Sequence, residues 1–156
     1  WEERDRGLYE EEVYLKQFQE LDPQDAEDIE KVIKGSGQTI RKRPYADTWV
    51  KYLKSKGYHV YILSNYSSYM LDHTKKELTF RREMDGEVFS CYANQLKPDA
   101  EIYQTILNKY QLKPEECVFI DDRPENCRGA QEQGIHTICF KAFKQVTADL
   151  EKLGVK

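Results

Sequence analysis

"CVFIDDRPEN", residues 117–126, joins an apolar strand to two adjacent aspartates and then to a helix start. Carboxylates placed side by side at the dry end of a strand repel each other, and proteins commonly offset that repulsion with a cation. Magnesium suits a site that offers oxygen ligands and retains waters. An aspartate before Pro124 can also cap the following helix, but capping accounts for only one of Asp121 and Asp122. The stretch therefore predicts a strand end that carries a metal site.

Short apolar strands alternate with amphipathic helices from Pro44 onward. Apolar spacing and turn residues predict strands at 58–63, 87–91, 117–120 and 136–140, and helices that end at Gly57, span 67–78, open at Pro98, run from Pro124 to Gly134 and close the chain. This alternation is typical of a parallel sheet with helices on both faces. In such a sheet, ligands bind at the carboxyl ends of the strands.

The first third of the chain has a helical pattern with no strand nearby. Two sets of apolar residues recur at helical spacing: Val13, Tyr14, Phe18 and Leu21, and then Ala26, Ile29, Val32 and Ile33. The first set ends at Asp22-Pro23 and the second at Gly35-Ser36-Gly37, both of which break helices. A helical appendage and an ordinary core face fit these two helices equally well.

Two further polar features follow the strands. Ser64-Asn65 comes directly after strand 58–63 and can donate hydrogen bonds to an anion, although the same pair is commonly a helix cap. Lys97 precedes Pro98 at a helix start and can place an ammonium near a phosphate or a carboxylate, although alone it would be an ordinary surface lysine. The order of donor pair, lysine and acidic pair along one sheet edge indicates a single site.

Composition argues against several classes of function. The 156 residues include 24 Lys and Arg against 28 Asp and Glu, a net charge of −4 that disfavours a nucleic-acid or anionic-membrane surface. No apolar run reaches the length of a membrane helix, and the first residues lack the pattern of a signal peptide. The four cysteines form no C-x-x-C pair and have no close histidine, so we expect reduced thiols, no zinc and a cytoplasmic protein.

Three stretches, YILSN, LKPDAEIY and CVFIDDRPENCRGAQEQGI, resemble the second, third and fourth motifs of the haloacid dehalogenase-like (HAD) hydrolase superfamily. They occur in family order and with ordinary family spacing. The surrounding sequence is similar to the branch that contains capped sugar-phosphate phosphatases and haloacid dehalogenases. The resemblance implies an α/β, Rossmann-like parallel sheet in residues 41–156, with residues 1–40 as the remainder of a helical cap.

The resemblance also implies roles for individual residues. Ser64 and Asn65 would hydrogen-bond the transferring phosphoryl group. Lys97 would neutralise charge on the phosphate and on the attacking carboxylate. Asp122 would bind Mg²⁺ directly and Asp121 directly or through water, while Asn126 lies where some members have a further acidic residue. The implied reaction is magnesium-dependent hydrolysis of a small phosphorylated metabolite, such as a sugar phosphate, through an aspartyl-phosphate.

The nucleophile of the family has no counterpart in this chain. Family members place an aspartate at the end of a first strand, commonly with a second aspartate two positions later. Asp121 follows an apolar strand, but Arg123 stands two positions on, and Asp85 lacks a preceding strand. In the family, the missing strand lies between those ending at Ser64 and Asp121, so without it two rows of backbone groups would be unpaired.

Four explanations fit this gap. The segment can be omitted from the chain, lost to a misjudged gene start, supplied as a separate peptide that stays bound, or replaced by a rearranged sheet. We expect omission.

The chain therefore fits a phosphatase first, a metal-independent 2-haloacid dehalogenase second, and thirdly a non-catalytic fragment or binding protein of HAD-like fold. The acidic pair favours the phosphatase over the dehalogenase, and the three retained motifs disfavour the non-catalytic alternative.

Overall fold

The computed structural model describes residues 2–155, in which helices and strands alternate after residue 45. The α-helices are α1 (Glu2–Arg6), α2 (Glu11–Leu21), α3 (Ala26–Gly35), α4 (Ala46–Ser55), α5 (Ser68–His73), α6 (Ser90–Ala93), α7 (Ala100–Tyr110), α8 (Pro124–Glu132) and α9 (Phe143–Lys152). The strands are β1 (Tyr61–Ser64), β2 (Gly86–Phe89), β3 (Val118–Asp121) and β4 (His136–Cys139). The predicted α/β class is confirmed.

The four strands form two parallel pairs. β1 pairs with β2, which places Ser64 opposite Phe89, and β3 pairs with β4, which places Asp121 opposite Cys139. Within residues 2–155 no strand joins the two pairs, so β1 and β3 each have one edge without a strand partner. Every residue of β1 and β3 is only half-buried. The sheet is thus divided at the place where the three sequence motifs predict a missing strand.

Side chains alternate along the strands and bury both faces of each pair. One core packs both strand pairs against α7 and α8; it includes Leu63, Val88, Ile102, Tyr103, Ile106, Leu107, Phe119 and Ala130. On the opposite face, Ile62 and Phe89 pack with Leu71 of α5, and Ile120 packs with Val146 of α9. Because the first core draws residues from both pairs, it holds them side by side across the gap.

The first forty residues contain the two predicted helices, α2 and α3, and one short helix, α1, that the apolar pattern did not predict. α1 packs on α6. Gly7 allows the close approach, because a Cβ there would lie 2.5 Å from the Cys91 carbonyl oxygen. The division into a cap at residues 1–40 and a core at 41–156 stays a prediction.

Three predicted boundaries move, two of them because side chains bond to backbone groups at the element ends. β1 begins at Tyr61 rather than at residue 58, since the Asp85 carboxylate accepts from the Val60 N–H. α5 ends at His73 rather than at residue 78, where the Thr74 hydroxyl donates to the Met70 carbonyl. β2 ends at Phe89, because Ser90 begins α6. Among the described residues, no helix combines the length and the apolar character that crossing a membrane requires.

Candidate active site

Lys97 connects the carboxyl ends of the two strand pairs. Its Nζ donates to the carbonyl oxygen of Leu63 at 3.0 Å and to Asp121 Oδ2 at 2.6 Å. The side chains of Lys97 and Asp121 are each only 7% exposed. The Lys97 ammonium also lies 5.3 Å from the centre of the Phe119 ring, a cation–π contact. A buried cation is thus held between β1 and β3, where neither strand has a strand partner.

The second oxygen of Asp121 is held by the start of α8. Oδ1 accepts from the Arg123 backbone N–H and from Asn126 Nδ2, both at 2.9 Å. Together with Lys97, these donors fix the orientation of the carboxylate. Asn126 is 2% exposed, and its Oδ1 has no hydrogen-bond partner among the described residues. An unpaired amide oxygen beside a carboxylate is uncommon in a protein interior and is compatible with a donor that arrives from outside these residues.

Asn65 positions the main chain of Lys97. Its Nδ2 donates to the Lys97 carbonyl and its Oδ1 accepts from the Lys97 N–H, both at 2.9 Å. The side-chain amide therefore acts on this loop as a neighbouring strand would, by pairing with both backbone groups of one residue. The Lys97–Pro98 peptide that follows is cis.

Ser64 and Asp122 lie at the same carboxyl edge of the sheet. Ser64 ends β1 and is half-buried, and Asp122 follows β3 and is exposed. Within residues 2–155, neither side chain makes a hydrogen bond or an ion pair. The nearby caps are different residues: Ser67 caps α5 by accepting from the Met70 N–H, and α8 has Arg123 at its N-cap position without a side-chain cap. Helix capping therefore does not account for Asp122.

A second layer of residues supports this arrangement. Tyr103 is fully buried, and its hydroxyl donates to the Asn126 carbonyl oxygen at 2.7 Å. Burial raises the pKa of Tyr103, so the hydroxyl remains a donor at neutral pH. Gly129 lets α8 lie against the Lys97 loop, because a Cβ there would be 2.5 Å from the Pro98 carbonyl oxygen.

The site loop after β1 is also tied to α1. Ser90 is fully buried; its hydroxyl accepts from the Tyr66 N–H at 2.8 Å and donates to the Asp5 carbonyl. Burial is the main cause that raises the pKa of Asp5, and Arg4 opposes it. This tie joins residues 85 positions apart in the sequence, so no local pattern predicts it.

The structure brings together all five predicted site residues, Ser64, Asn65, Lys97, Asp121 and Asp122, at the carboxyl ends of β1 and β3. Asn126, whose role the sequence alone left open, contacts Asp121, and no sequence pattern pointed to Tyr103 or Ser90. The five-residue spacing of Asp121 and Asn126, across a strand end and the first turn of a helix, is the only local signal for their contact. Tyr103 and Ser90 carry no comparable signal, since both act through backbone groups distant in sequence.

The donors at this edge suit a hard cation. Carboxylate oxygens and waters are the ligands that Mg²⁺ prefers, and the Asp122 carboxylate, which has no partner within residues 2–155, is a group of this kind. Asp121 directs both of its oxygens to donors within the protein. No group of three or more potential His, Cys, Asp or Glu ligands occurs in residues 2–155, so further ligands would have to be waters or groups from elsewhere.

The protein is thus of the parallel α/β class, with a buried lysine and an acidic pair at the carboxyl ends of its strands, where such proteins bind their ligands. Residues 2–134 match the family model of haloacid dehalogenase-like hydrolases. The chain belongs to this family. This finding confirms the resemblance of the three sequence motifs.

Several known proteins are similar to the chain. Flavin mononucleotide hydrolase 1 of Arabidopsis thaliana is 27% identical over 158 residues, which cover 99% of this chain and 62% of that protein. (S)-2-haloacid dehalogenase 4A of Burkholderia cepacia is 32% identical over 95 residues, 61% of this chain and 41% of that protein. Glyceraldehyde 3-phosphate phosphatase of Pyrococcus furiosus is 28% identical over 117 residues, 72% of this chain and 47% of that protein. The chain thus spans less than two thirds of each of these relatives.

Solved structures show the same fold. A HAD family enzyme of Bacteroides thetaiotaomicron, crystallised with magnesium and inorganic phosphate, superposes with a TM-score of 0.74 at 24% identity over 90% of this chain and 74% of that one. A predicted HAD-like family hydrolase of Porphyromonas gingivalis has a TM-score of 0.73 at 22% identity and covers 99% of this chain and 78% of that one.

Proposed function

We propose that this protein is a magnesium-dependent phosphatase of small phosphate esters such as sugar phosphates. It would act in the cytoplasm on a small phosphorylated metabolite, with neither a nucleic acid nor a membrane as partner. The position of Lys97 carries the proposal, because its buried ammonium lies at the carboxyl ends of both strand pairs. A fixed cation in a site with little water stabilises the charge of a phosphoryl group far better than a cation in solution does. The relative from Pyrococcus furiosus, which is named as a glyceraldehyde 3-phosphate phosphatase, supports this choice over other hydrolases.

Several of the described residues would bind the phosphoryl group, each with a different role. Ser64 donates its free hydroxyl to a phosphoryl oxygen, and Lys97 neutralises charge on the phosphate and on the attacking carboxylate. Asn65 contributes to the phosphate contact chiefly by holding the Lys97 main chain, because both ends of its amide bond to that residue. Asp121 and Asn126 keep the Lys97 ammonium in place from the β3 side.

Asp122 is the residue that would hold Mg²⁺ directly, and Asp121 would assist directly or through a water. The cation, when bound, would offset the negative charge of the phosphate ester. Asn126 Oδ1, which has no hydrogen-bond partner in the described part of the chain, would accept a hydrogen bond from a water of such a site. This assignment explains why an exposed carboxylate without a capping role stands next to a buried one.

The nucleophile of the proposed reaction is an aspartate on a strand between β1 and β3. A parallel strand there would satisfy both open edges at once. Its carboxyl end would lie beside Lys97, which already contacts β1 and β3. Attack of that aspartate on phosphorus forms an aspartyl-phosphate, which water then hydrolyses. The strand can belong to the same protein or to a separately bound peptide.

A 2-haloacid dehalogenase is the second candidate. The 32% identity to the Burkholderia enzyme favours it. Such a reaction has little use for two adjacent carboxylates, so the exposed Asp122 carboxylate beside Asp121 favours the phosphatase.

The test uses the full-length protein after its intact mass has been measured under denaturing conditions. Turnover of p-nitrophenyl phosphate is measured with magnesium and with a chelator, and chloride release from 2-chloropropionate is measured in parallel. We expect phosphate release that requires magnesium and that is lost in Lys97→Gln. Lys144→Gln, which changes an exposed lysine of α9, is the matched control. Chloride release without metal would favour the dehalogenase, and the absence of both activities would overturn the proposal.

A further inference from the structure

Two cysteines lie against the backbone of the acidic pair. The thiol of Cys127, in the first turn of α8, is 3.5 Å from the Asp121 carbonyl oxygen. The thiol of Cys139, at the end of β4, is 3.8 Å from the Asp122 carbonyl oxygen. Cys139 is also the residue opposite Asp121 in the β3–β4 ladder. Both sulfurs therefore lie at the same strand end, each against a carbonyl oxygen of the acidic pair.

We propose that Cys127 and Cys139 form a modification site, a dithiol that peroxides oxidise to a disulfide. Cys139 is half-buried and reacts first, because Cys127 is only 7% exposed. The Cys139 thiol takes one oxygen from the peroxide to give a sulfenic acid and releases an alcohol or water. The Cys127 sulfur then attacks the Cys139 sulfur, the S–O bond breaks, and water leaves with the Cys127 proton. The peroxide is reduced and the two thiols are oxidised by two electrons in total.

Oxidation would alter the carboxyl edge of β3. A disulfide bond of about 2.0 Å is shorter than a contact between two thiols, so its formation draws the first turn of α8 toward the end of β4. That turn also carries Asn126, which donates to Asp121, and Asp121 in turn holds Lys97. We therefore expect the disulfide to lower turnover. This effect on turnover rests on the proposed phosphatase function, whereas formation of the disulfide does not.

The other two cysteines provide matched controls. Cys117 is half-buried like Cys139, but its thiol contacts the Lys113 carbonyl at the opposite end of β3. Cys91 is buried like Cys127 and packs with Leu71 and Phe89. Neither Cys117 nor Cys91 lies at the carboxyl edge of β3. If location, rather than the degree of burial, decides which cysteines form a disulfide, these two should not take part in one.

The experiment treats the folded, full-length protein with hydrogen peroxide, alkylates the remaining thiols and maps the peptides by mass spectrometry. We expect one cross-linked pair that joins the peptides of Cys127 and Cys139 and that dithiothreitol reverses. Cys139→Ser should abolish the pair, while Cys117→Ser should retain it. Separate overoxidation of Cys127 and Cys139, or a pair that includes Cys91 or Cys117 instead, would overturn the proposal.

Turnover of p-nitrophenyl phosphate is measured on the same samples. We expect a severalfold loss in the oxidised protein, recovery with dithiothreitol, and resistance to peroxide in Cys139→Ser. A cross-link that forms without any change in turnover would overturn the effect on activity. If the protein has no phosphatase activity at all, the peptide map still decides whether the site exists.

Discussion

At the scale of single residues, the pair of Lys97 and Asp121 combines a charge contact with almost complete burial. Removing one partner of a buried ion pair leaves the other charge uncompensated, which costs about 3–5 kcal/mol. We expect Lys97→Met to lower the free energy of unfolding by about that amount. The double variant Lys97→Met with Asp121→Asn should recover part of the loss, because the remaining group is then neutral.

Urea denaturation of the single and double variants measures this coupling. If the loss of stability in the double variant equals the sum of the losses in the two single variants, the two side chains are not coupled. Lys144, an exposed lysine of α9, provides the control substitution to Met, which should change stability little.

Asp122 should behave in the opposite way to Asp121, because its carboxylate is exposed and has no partner in the described part of the chain. We expect Asp122→Asn to leave the urea midpoint unchanged and to abolish magnesium-dependent turnover of p-nitrophenyl phosphate. Glu132→Gln, an exposed acidic position at the end of α8, is the control. Full activity of Asp122→Asn at saturating magnesium would contradict the assignment of the metal ligand.

At the scale of elements, α8 approaches the Lys97 loop only because residue 129 has no side chain. We expect Gly129→Ala to destabilise the protein by about 1–3 kcal/mol, the usual cost of overpacking a core. Gly35 ends α3 with nothing within 4 Å of the position of a Cβ. The same substitution there should be neutral or stabilising by up to about 1 kcal/mol.

Thermal or urea unfolding of the two glycine variants tests this contrast. Similar effects at both positions would mean that helix propensity, rather than the contact with Pro98, decides the result. Gly129→Ala should also reduce turnover, since the displaced loop carries Lys97.

An ion pair joins Arg81, in the 3₁₀ helix Thr79–Glu83, to Glu87 of β2. The hydrogen bond from Arg81 lowers the pKa of Glu87 below its ordinary value of 4.5, and partial burial opposes the change. A carboxyl with a lowered pKa in the folded state contributes stability above its unfolded pKa and loses it as the pH falls through the folded value. We therefore expect this contribution to disappear below pH 4.5.

Urea midpoints measured from neutral pH down to about pH 3 should show this loss, which is small because the pair is partly exposed to solvent. Arg81→Gln should have a weaker dependence on pH over the same range. An identical slope in both proteins would show that other carboxylates account for it.

At the scale of the whole molecule, the division into two strand pairs is the main structural feature. A core shared with α7 and α8 holds the pairs together, but the facing edges of β1 and β3 have no strand partner in residues 2–155. If a strand of the full-length protein lies between them, the backbone amides of β1 and β3 that face the gap should be protected from hydrogen exchange. In a chain limited to residues 1–156 the same amides should exchange faster.

Hydrogen exchange followed by mass spectrometry on both proteins makes this comparison, with the paired strand β4 as the internal control. Equal protection of β1 and β3 in the two proteins would contradict the proposed strand. It would also favour a sheet that closes in some other way.

The sequence by itself determined the alternation of strands and helices and the family, and it predicted the carboxyl edge of the sheet as the place of the candidate site. These follow from local patterns: apolar periodicity, turn residues and three motifs that each occupy one strand end. The gap between β1 and β3 was also expected from the sequence. It follows from the absence of the family's first motif, the strand that ends in the nucleophilic aspartate.

Only the tertiary structure decided how the site is connected. Lys97 binds Asp121 and the Leu63 carbonyl across the gap, Asn65 holds the Lys97 main chain, and Asn126 orients Asp121. These contacts join groups as far as 34 positions apart in the sequence. Local propensity carries no information about them, because long-range packing sets the distance between two strand ends and the approach of α8 at Gly129.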